Sequence, residues 1–360
     1  MPNTYSVLDV EKRFEESQNS LVLQSSDFSL QGLREMVENE IIDLKAKYQR
    51  RERWDVGRQS ELIESFLLNI PVPPVYLSEE EYGVYSIIDG KQRITAVSDF
   101  LSNSFVLKGL NNFGEINGLR FRDLPKTLQN ALKVRPFLRV ITLLKQSHPE
   151  LKYEVFLRLN RGGVQLNNQE IRNVAFRGYL NAAIYSEAEN NRFLKKSLNI
   201  SGANSRAYQQ MQDAELVLRF LTLQHSWRNF SGSFSRSMDM FMLRHSHVNA
   251  DEAEKIVSGF RTSISRVEEI WGDHAFERWD GDRWRRQALA GLYDAQMISA
   301  GELNERSFEA LRGKTSDVLE DTKRLFEDRA FEEAVRLGTN TPARMKYRVS
   351  KTLESLNKLA

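Results

Sequence analysis

The sequence predicts an α+β domain over residues 25–189 followed by an all-α domain over residues 190–360, with a loose segment at 1–24 ahead of both. Three observations predict this. In the first half, apolar runs of strand length at 75–77, 84–88 and 137–144 alternate with helical stripes such as Leu62, Ile63, Phe66 and Leu67. From residue 190 onward only the helical period is left, as in Leu216, Phe220 and Leu223 or Ile256, Phe260 and Ile264. Between the halves, Asn190-Asn191 and Ser201-Gly202-Ala203-Asn204-Ser205 read as linkers.

Within the first 24 residues only Leu21-Val22-Leu23 is expected to dock. Ser29 or Asp27 is placed to cap a helix carrying Leu30, Leu33 and Met36, because a short polar side chain accepts from the first amides of a helix. Ile41-Ile42-Asp43-Leu44 reads as a short strand. The stripe at 62–67 stops near Asn69, ahead of Pro71, since the residue before a proline avoids the helical region. The runs at 75–77 and 84–88 flank a polar turn with Gly83 and form a hairpin. A helix over about 91–102 follows, then an Asn- and Gly-rich loop with a short strand at Phe105-Val106-Leu107. Pro125 opens a helix to Leu132, and 137–144 is a strand. Residues 149–160 form a helix that Arg161-Gly162-Gly163 breaks, and Asn167 or Asn168 caps a long helix reaching Glu189.

Hydrophobic residues make up 41% and charged residues 28% of the 360 positions, a globular balance with ample core. There is no cysteine, which excludes disulfides, thiol nucleophiles and Cys-ligated metal centres and suits a reducing, cytoplasmic setting. Asp9, Glu11, Lys12, Arg13, Glu15 and Glu16 stand where a signal peptide would need an apolar run. No stretch approaches the roughly 20 apolar residues of a membrane span, so no membrane partner is expected. The net charge is only +2, from 51 basic and 49 acidic residues, so any nucleic-acid contact requires a local patch.

Chemistry concentrates in Ile87-Ile88-Asp89-Gly90-Lys91-Gln92-Arg93-Ile94. It reads as a strand ending at Ile88, a turn on Asp89-Gly90, and a helix entered at Lys91. Gly90 permits a backbone angle that other residues resist. The first amides of the helix carry partial positive charge, and Lys91 and Arg93 add two cations beside them. Such a turn attracts an anion, above all a phosphate. The plain alternative is a strand–helix junction in which Asp89 caps the helix and the cations are solvated. No GxxxxGK[ST] segment occurs, which excludes a Walker-type site.

The run DGKQR, with QRRERW at 49–54 before it and FLRLNRGG at 156–163 after it, resembles the N-terminal domain family of GmrSD-type modification-dependent restriction systems. That family's core motif is DGQQR, in a fold similar to ParB and sulfiredoxin. The glycine and terminal arginine of the motif correspond to the phosphate-contacting box of ParB-like proteins. The resemblance covers about residues 25–185 and implies a ParB/sulfiredoxin-like first domain. It also implies nucleotide binding or hydrolysis in defence against phage DNA. Asp89, Gly90, Gln92 and Arg93 match; Lys91 replaces the first glutamine, keeping a long donor and adding a charge. The catalytic roles fall to Asp89, holding Mg²⁺ or a water, to Gln92, orienting that water, and to Arg93. Phosphate contacts fall to Gln49, Arg50, Gly90, Lys91, Arg93, Arg158 and Asn160, with Trp54 as a wall of the pocket. Glu170, Arg172 and Asn173 also match; Glu170 either buttresses an arginine or a metal-bound water, or is a first-turn glutamate favoured by the helix dipole. The implied ligand is a nucleoside triphosphate with Mg²⁺, and the implied partners are DNA or a separate nuclease subunit. The competing reading is a non-catalytic DNA-binding or adaptor protein that sets the same basic turn on a DNA phosphate.

Many GmrSD-type proteins carry a downstream HNH-like nuclease domain, but residues 190–360 hold no matching His-Asn-His arrangement, so nuclease activity is not expected of this chain. Trp271, Trp279 and Trp284 are interleaved with Arg278, Arg283, Arg285 and Arg286, which suits either base stacking or helix packing. Arg344, Arg348 and Lys351 share a helical face that either tracks a DNA backbone or is solvated.

Overall fold

The computed structural model describes residues 7–44, 54–159, 167–202 and 204–360. Two compact units divide it, Met1–Leu166 and Asn167–Ala360. Gln49, Arg50 and Asn160, with Arg161-Gly162-Gly163, lie outside the described residues.

The first unit runs α1 (Val7–Ser20), β1 (Leu23–Ser29), α2 (Leu30–Glu38), β2 (Ile42–Asp43), α3 (Val56–Leu67), β3 (Val75–Glu81), β4 (Val84–Asp89), α4 (Lys91–Leu101), α5 (Lys126–Val134), β5 (Phe137–Leu143) and α6 (Pro149–Leu159). The strands form one mixed sheet in the order β1-β5-β3-β4-β2. β5 pairs antiparallel with β1 and parallel with β3, while β4 pairs antiparallel with β3 and parallel with β2. This is the α+β arrangement that the alternating patterns predict. Residues 7–20 are helical rather than loose. Val10 and Phe14 of α1 remain exposed, so these two do not mark it as a core element. Phe105-Val106-Leu107 forms no strand. Leu107 bonds the loop backbone at Gly118 and Leu119, and Phe105 and Leu107 are apolar because they plug the core.

Local chemistry sets the element starts. Ser29 Oγ accepts from the Gly32 amide at 3.1 Å and caps α2; Asp55 Oδ1 accepts from Arg58 at 2.9 Å and caps α3. Val75, Leu77, Ile87, Leu138 and Val140 from the sheet, with Leu33 of α2 and Ile94, Val97 and Phe100 of α4, are all 1% exposed or less. Burying each such side chain contributes about 1.5–3 kcal/mol, so α4 is held chiefly by its apolar face. Phe100 also meets Phe105 and Phe121 at ring-centroid distances of 5.4 and 5.8 Å.

The second unit contains α7 (Asn168–Ala175), α8 (Tyr179–Asn190), α9 (Arg192–Ser197), α10 (Arg206–Gln209), α11 (Gln212–Leu223), α12 (Phe234–Arg244), α13 (Ala250–Trp271), β6 (Glu277–Trp279), β7 (Trp284–Ala288), α14 (Ala290–Glu302), α15 (Glu305–Leu311), α16 (Thr315–Glu327), α17 (Arg329–Arg336) and α18 (Pro342–Leu359). It is helical, with one antiparallel hairpin, β6–β7, that periodicity did not reveal. The long helix expected from 167 to 189 is two helices, interrupted at Phe176-Arg177-Gly178, where a glycine lowers the cost of leaving the helix. Both belong to the second unit, whereas the sequence grouped them with the first domain. The reason is packing: Leu180, Ile184 and Tyr185 of α8 are buried, and α8 packs on α11 and α13.

α14 is the central helix of this unit, buried from Gly291 through Ala300. Its one carboxylate in that run, Asp294, is 1% exposed and gathers two guanidinium groups. Arg219 donates from Nε to Oδ1 and from Nη2 to Oδ2, both at 2.6 Å, and Arg348 donates from Nη2 to Oδ2 at 2.6 Å. Removing the carboxylate would strand two buried cations, which costs several kcal/mol. Asp294→Ala is therefore expected to destabilise the helical unit by about 3–5 kcal/mol in denaturant unfolding. A loss under about 1 kcal/mol would show that the cluster is not buried as described.

Candidate anion site at the β4–α4 turn

β4 ends at Asp89 and α4 begins at Lys91, so the whole change of direction falls on Gly90. Its φ is +93°, the left-handed region that non-glycine residues enter at a cost of about 1–2 kcal/mol. A Cβ here would also stand 2.7 Å from Val75 Cγ2 and 3.2 Å from Val75 Cβ. Val75 is fully buried at the start of β3 and paired with Val140 of β5, so it cannot retreat cheaply. Glycine is thus required twice, for its dihedral and for its bareness. It also leaves α4 without a side-chain cap, whereas Ser29, Asp55 and Asn167 cap α2, α3 and α7. The positive end of the α4 dipole meets no N-cap oxygen from a side chain.

Asp89 does not cap the helix. Its Oδ2 accepts from Arg93 Nη2 at 2.5 Å, and Arg93 Nη1 donates to the carbonyl oxygens of Pro73 and Pro74 at 2.6 and 2.9 Å. The Arg93 side chain is 13% exposed. The guanidinium expected on a phosphate is therefore committed to three protein acceptors. It ties the loop ahead of β3 to the end of β4 and the first turn of α4. Gln92, expected to orient a water, uses its Oε1 to accept from the Trp54 amide at 3.1 Å. That bond fastens the chain just before α3 to the first turn of α4, with Trp54 packed on the core edge. Lys91 is half-buried in the same turn.

The other expected site residues that the structure describes have partners within their own units. Arg158 is 76% exposed and paired with Glu154 one turn back on α6. In the second unit Glu170 forms a capping box with Asn167. The Asn167 amide reaches Glu170 Oε2 at 2.6 Å and the Glu170 amide reaches Asn167 Oδ1 at 2.8 Å, as a first-turn glutamate would. Arg172 is buried against Asp239 and Ser235. The cationic face expected on α18 does not exist. Arg348 is fully buried on Asp294, Ala334 and Thr339, Arg344 bonds the Leu337 carbonyl, and Lys351 pairs with Glu354. Three-residue spacing alone could not distinguish these inward and tethered positions from a solvated stripe. Arg285 pairs with Asp280 inside the β6–β7 turn.

Two contributors were missed from sequence. Val75 fixes Gly90 by contact, which leaves no mark in a strand of ordinary apolar residues. Pro73-Pro74 does leave one, because prolines have no amide to donate and offer only carbonyl acceptors ahead of a strand.

Residues 33–177 match the family described as GmrSD restriction endonuclease, N-terminal domain. That segment belongs to the GmrSD N-terminal family. No curated protein and no solved structure matches the chain. The GmrSD-type segment includes the DGKQR turn, Trp54 and Arg158, and it runs in sequence past Leu166 into α7.

Gly90→Ala in the GmrSD-type segment should cost about 2–4 kcal/mol, combining the dihedral and the clash with Val75. In a double-mutant cycle, Val75→Ala should return part of that cost; strictly additive effects would show that the contact is not the constraint. Arg93→Ala should cost about 1.5–3 kcal/mol in the absence of any ligand, read by denaturant unfolding. A silent Arg93→Ala would mean that the clamp does not form in solution.

Proposed function

We propose that the β4–α4 turn of the GmrSD-type segment is the phosphate-binding turn of a nucleotide-dependent module that regulates a DNA-targeting, phage-defence system. The observation that supports this most is Gly90. A left-handed glycine with no side chain seats an anion against the α4 amino end, where backbone dipoles and the Lys91 ammonium act together. Arg93 serves this site by holding its frame, since both of its terminal nitrogens already bond protein acceptors. A fold of the ParB and sulfiredoxin kind belongs to the same proposal.

Mg²⁺ would enter with the triphosphate. The described residues contain no group of three or more His, Cys, Asp or Glu able to hold a metal by themselves. A single carboxylate with phosphate oxygens and waters fits Mg²⁺, which rarely uses an all-protein cage. Asp89, 42% exposed at the strand end, is that carboxylate. When bound, the ion would neutralise phosphate charge. Asp89 would keep one oxygen on Arg93 and turn the other toward the ion or its water. Hydrolysis is proposed through this carboxylate alone.

A thermal-shift panel of ATP, GTP, CTP and UTP with Mg²⁺ tests binding, because a ligand of the folded state must raise its stability. At least one triphosphate should raise the melting temperature. No shift with any of them, alongside tight and steeply salt-dependent binding of duplex DNA by the same turn, would favour the adaptor reading. Lys91→Gln sharpens the test. An ammonium in the first turn opposes the helix dipole without an anion and assists it with one. The variant should be as stable as wild type or slightly more so, and should bind nucleotide more weakly by a few tenths to about 1 kcal/mol at low salt. Calorimetric titration showing unchanged affinity at low salt would remove Lys91 from the site.

A further inference from the structure

In the helical unit, β6 and β7 pair Trp279 with Trp284 and Arg278 with Arg285. Paired positions share a face of the ribbon, so the two indoles lie together, with ring centroids 5.4 Å apart and nearly edge to face. His274 lies flat on Trp284 at 5.0 Å and 16° between planes, and Lys323 sits over Trp279 at 4.7 Å. These tryptophans are built differently from the packing ones. Trp227 and Trp271 are 3% and 1% exposed and donate their indole N–H to Glu302 and Thr322. Trp279 and Trp284 are half-exposed, and neither indole N–H has a hydrogen bond among the described residues.

The charges around the pair are equally uneven. Asp280 is engaged within the turn: its Oδ1 accepts from the Arg283 and Asp282 amides at 2.9 and 3.2 Å, and its Oδ2 pairs with Arg285. Arg278 pairs with Glu332 at 2.5 Å. Arg283 and Arg286 are exposed and have no ion pair among the described residues; of the neighbouring acids Asp282 is exposed at the tip, Asp280 is engaged in the turn, and Glu277 pairs with His274 Nδ1 at 2.9 Å. Arg286 stands two residues beyond Trp284 and so shares its face of the strand.

We infer that the β6–β7 ribbon docks single-stranded nucleic acid, one base stacking on the His274–Trp284 pair while backbone phosphates meet Arg283 and Arg286. Stacking needs an unpaired base with an open π-face, which a duplex does not offer. An acidic peptide would satisfy the two arginines but would have no use for exposed stacked rings. The site is independent of the nucleotide reading of the first unit and holds whether or not that unit binds a triphosphate.

Fluorescence anisotropy of the full chain with a labelled oligo(dT) strand tests it. The strand should bind more tightly than a duplex of equal length. Trp284→Ala should weaken binding about 10- to 100-fold, and Trp284→Phe, which keeps a stacking face, should stay within about fivefold. Arg283→Gln with Arg286→Gln should reduce the slope of log affinity against log salt by about 1.4, the loss of two single-strand phosphate contacts. Both arginines are exposed, so this pair reports on binding even where the tryptophan variant does not fold. Tighter binding of duplex, an unchanged slope, wild-type affinity of a folded Trp284→Ala, or competition by polyglutamate equal to that of oligo(dT) would each overturn the inference.

Discussion

The close approach of Gly90 to Val75 is the constraint on which the first unit depends. Val75 begins the strand that binds both β5 and β4, and Gly90 begins the helix whose apolar face fills the core against that sheet. A left-handed residue without a side chain lets the two starts nearly touch. Arg93 then closes the junction from the other side, drawing Pro73, Pro74 and Asp89 around one guanidinium. Turn, strand start and helix start form one mechanical piece, and Gln92 adds the chain entering α3 to it.

This construction separates two tasks that the motif combines in sequence. The arginine works as a brace, and in the proposed reading the anion would meet the backbone of the first α4 turn and Lys91, with Asp89 reaching it through Mg²⁺. A braced turn is already organised before any ligand arrives, so little ordering cost is left for binding. The lysine works in the opposite sense. It sits at the positive end of the dipole and becomes favourable only with negative charge in place. A half-buried lysine at a helix start without a side-chain cap suits the proposed anion.

Much of the fold was legible because periodicity and caps are local. The β3–β4 hairpin, β5, the extent of α4 and the caps Ser29 and Asn167 follow from alternation, 3.6-residue stripes and short polar side chains. α1 was not legible, because Val10 and Phe14 face solvent. β6–β7 was not, because its strand residues are tryptophans and arginines whose order also suits a helix. In the candidate site the sequence pointed to the turn but did not show which protein groups its side chains bond. Arg93 has donors for a phosphate and Gln92 an amide for a water, and only tertiary contacts reveal that the guanidinium donates to Pro73 and Pro74 and that Gln92 Oε1 accepts from the Trp54 amide. Arg348 is the same lesson in the helical unit: its spacing places it on a cationic face, and its burial on Asp294 removes it.

Glycine-selective amide NMR is the most direct measurement of the central claim, that the Gly90 turn receives phosphate. In titration with inorganic tripolyphosphate and Mg²⁺, the Gly90 amide should shift saturably, while Gly83 at the hairpin tip and Gly109 in the following loop should stay in place. The Gly90 shift should weaken in Lys91→Gln. A Gly90 resonance that does not move while the protein binds the ligand elsewhere would contradict the account.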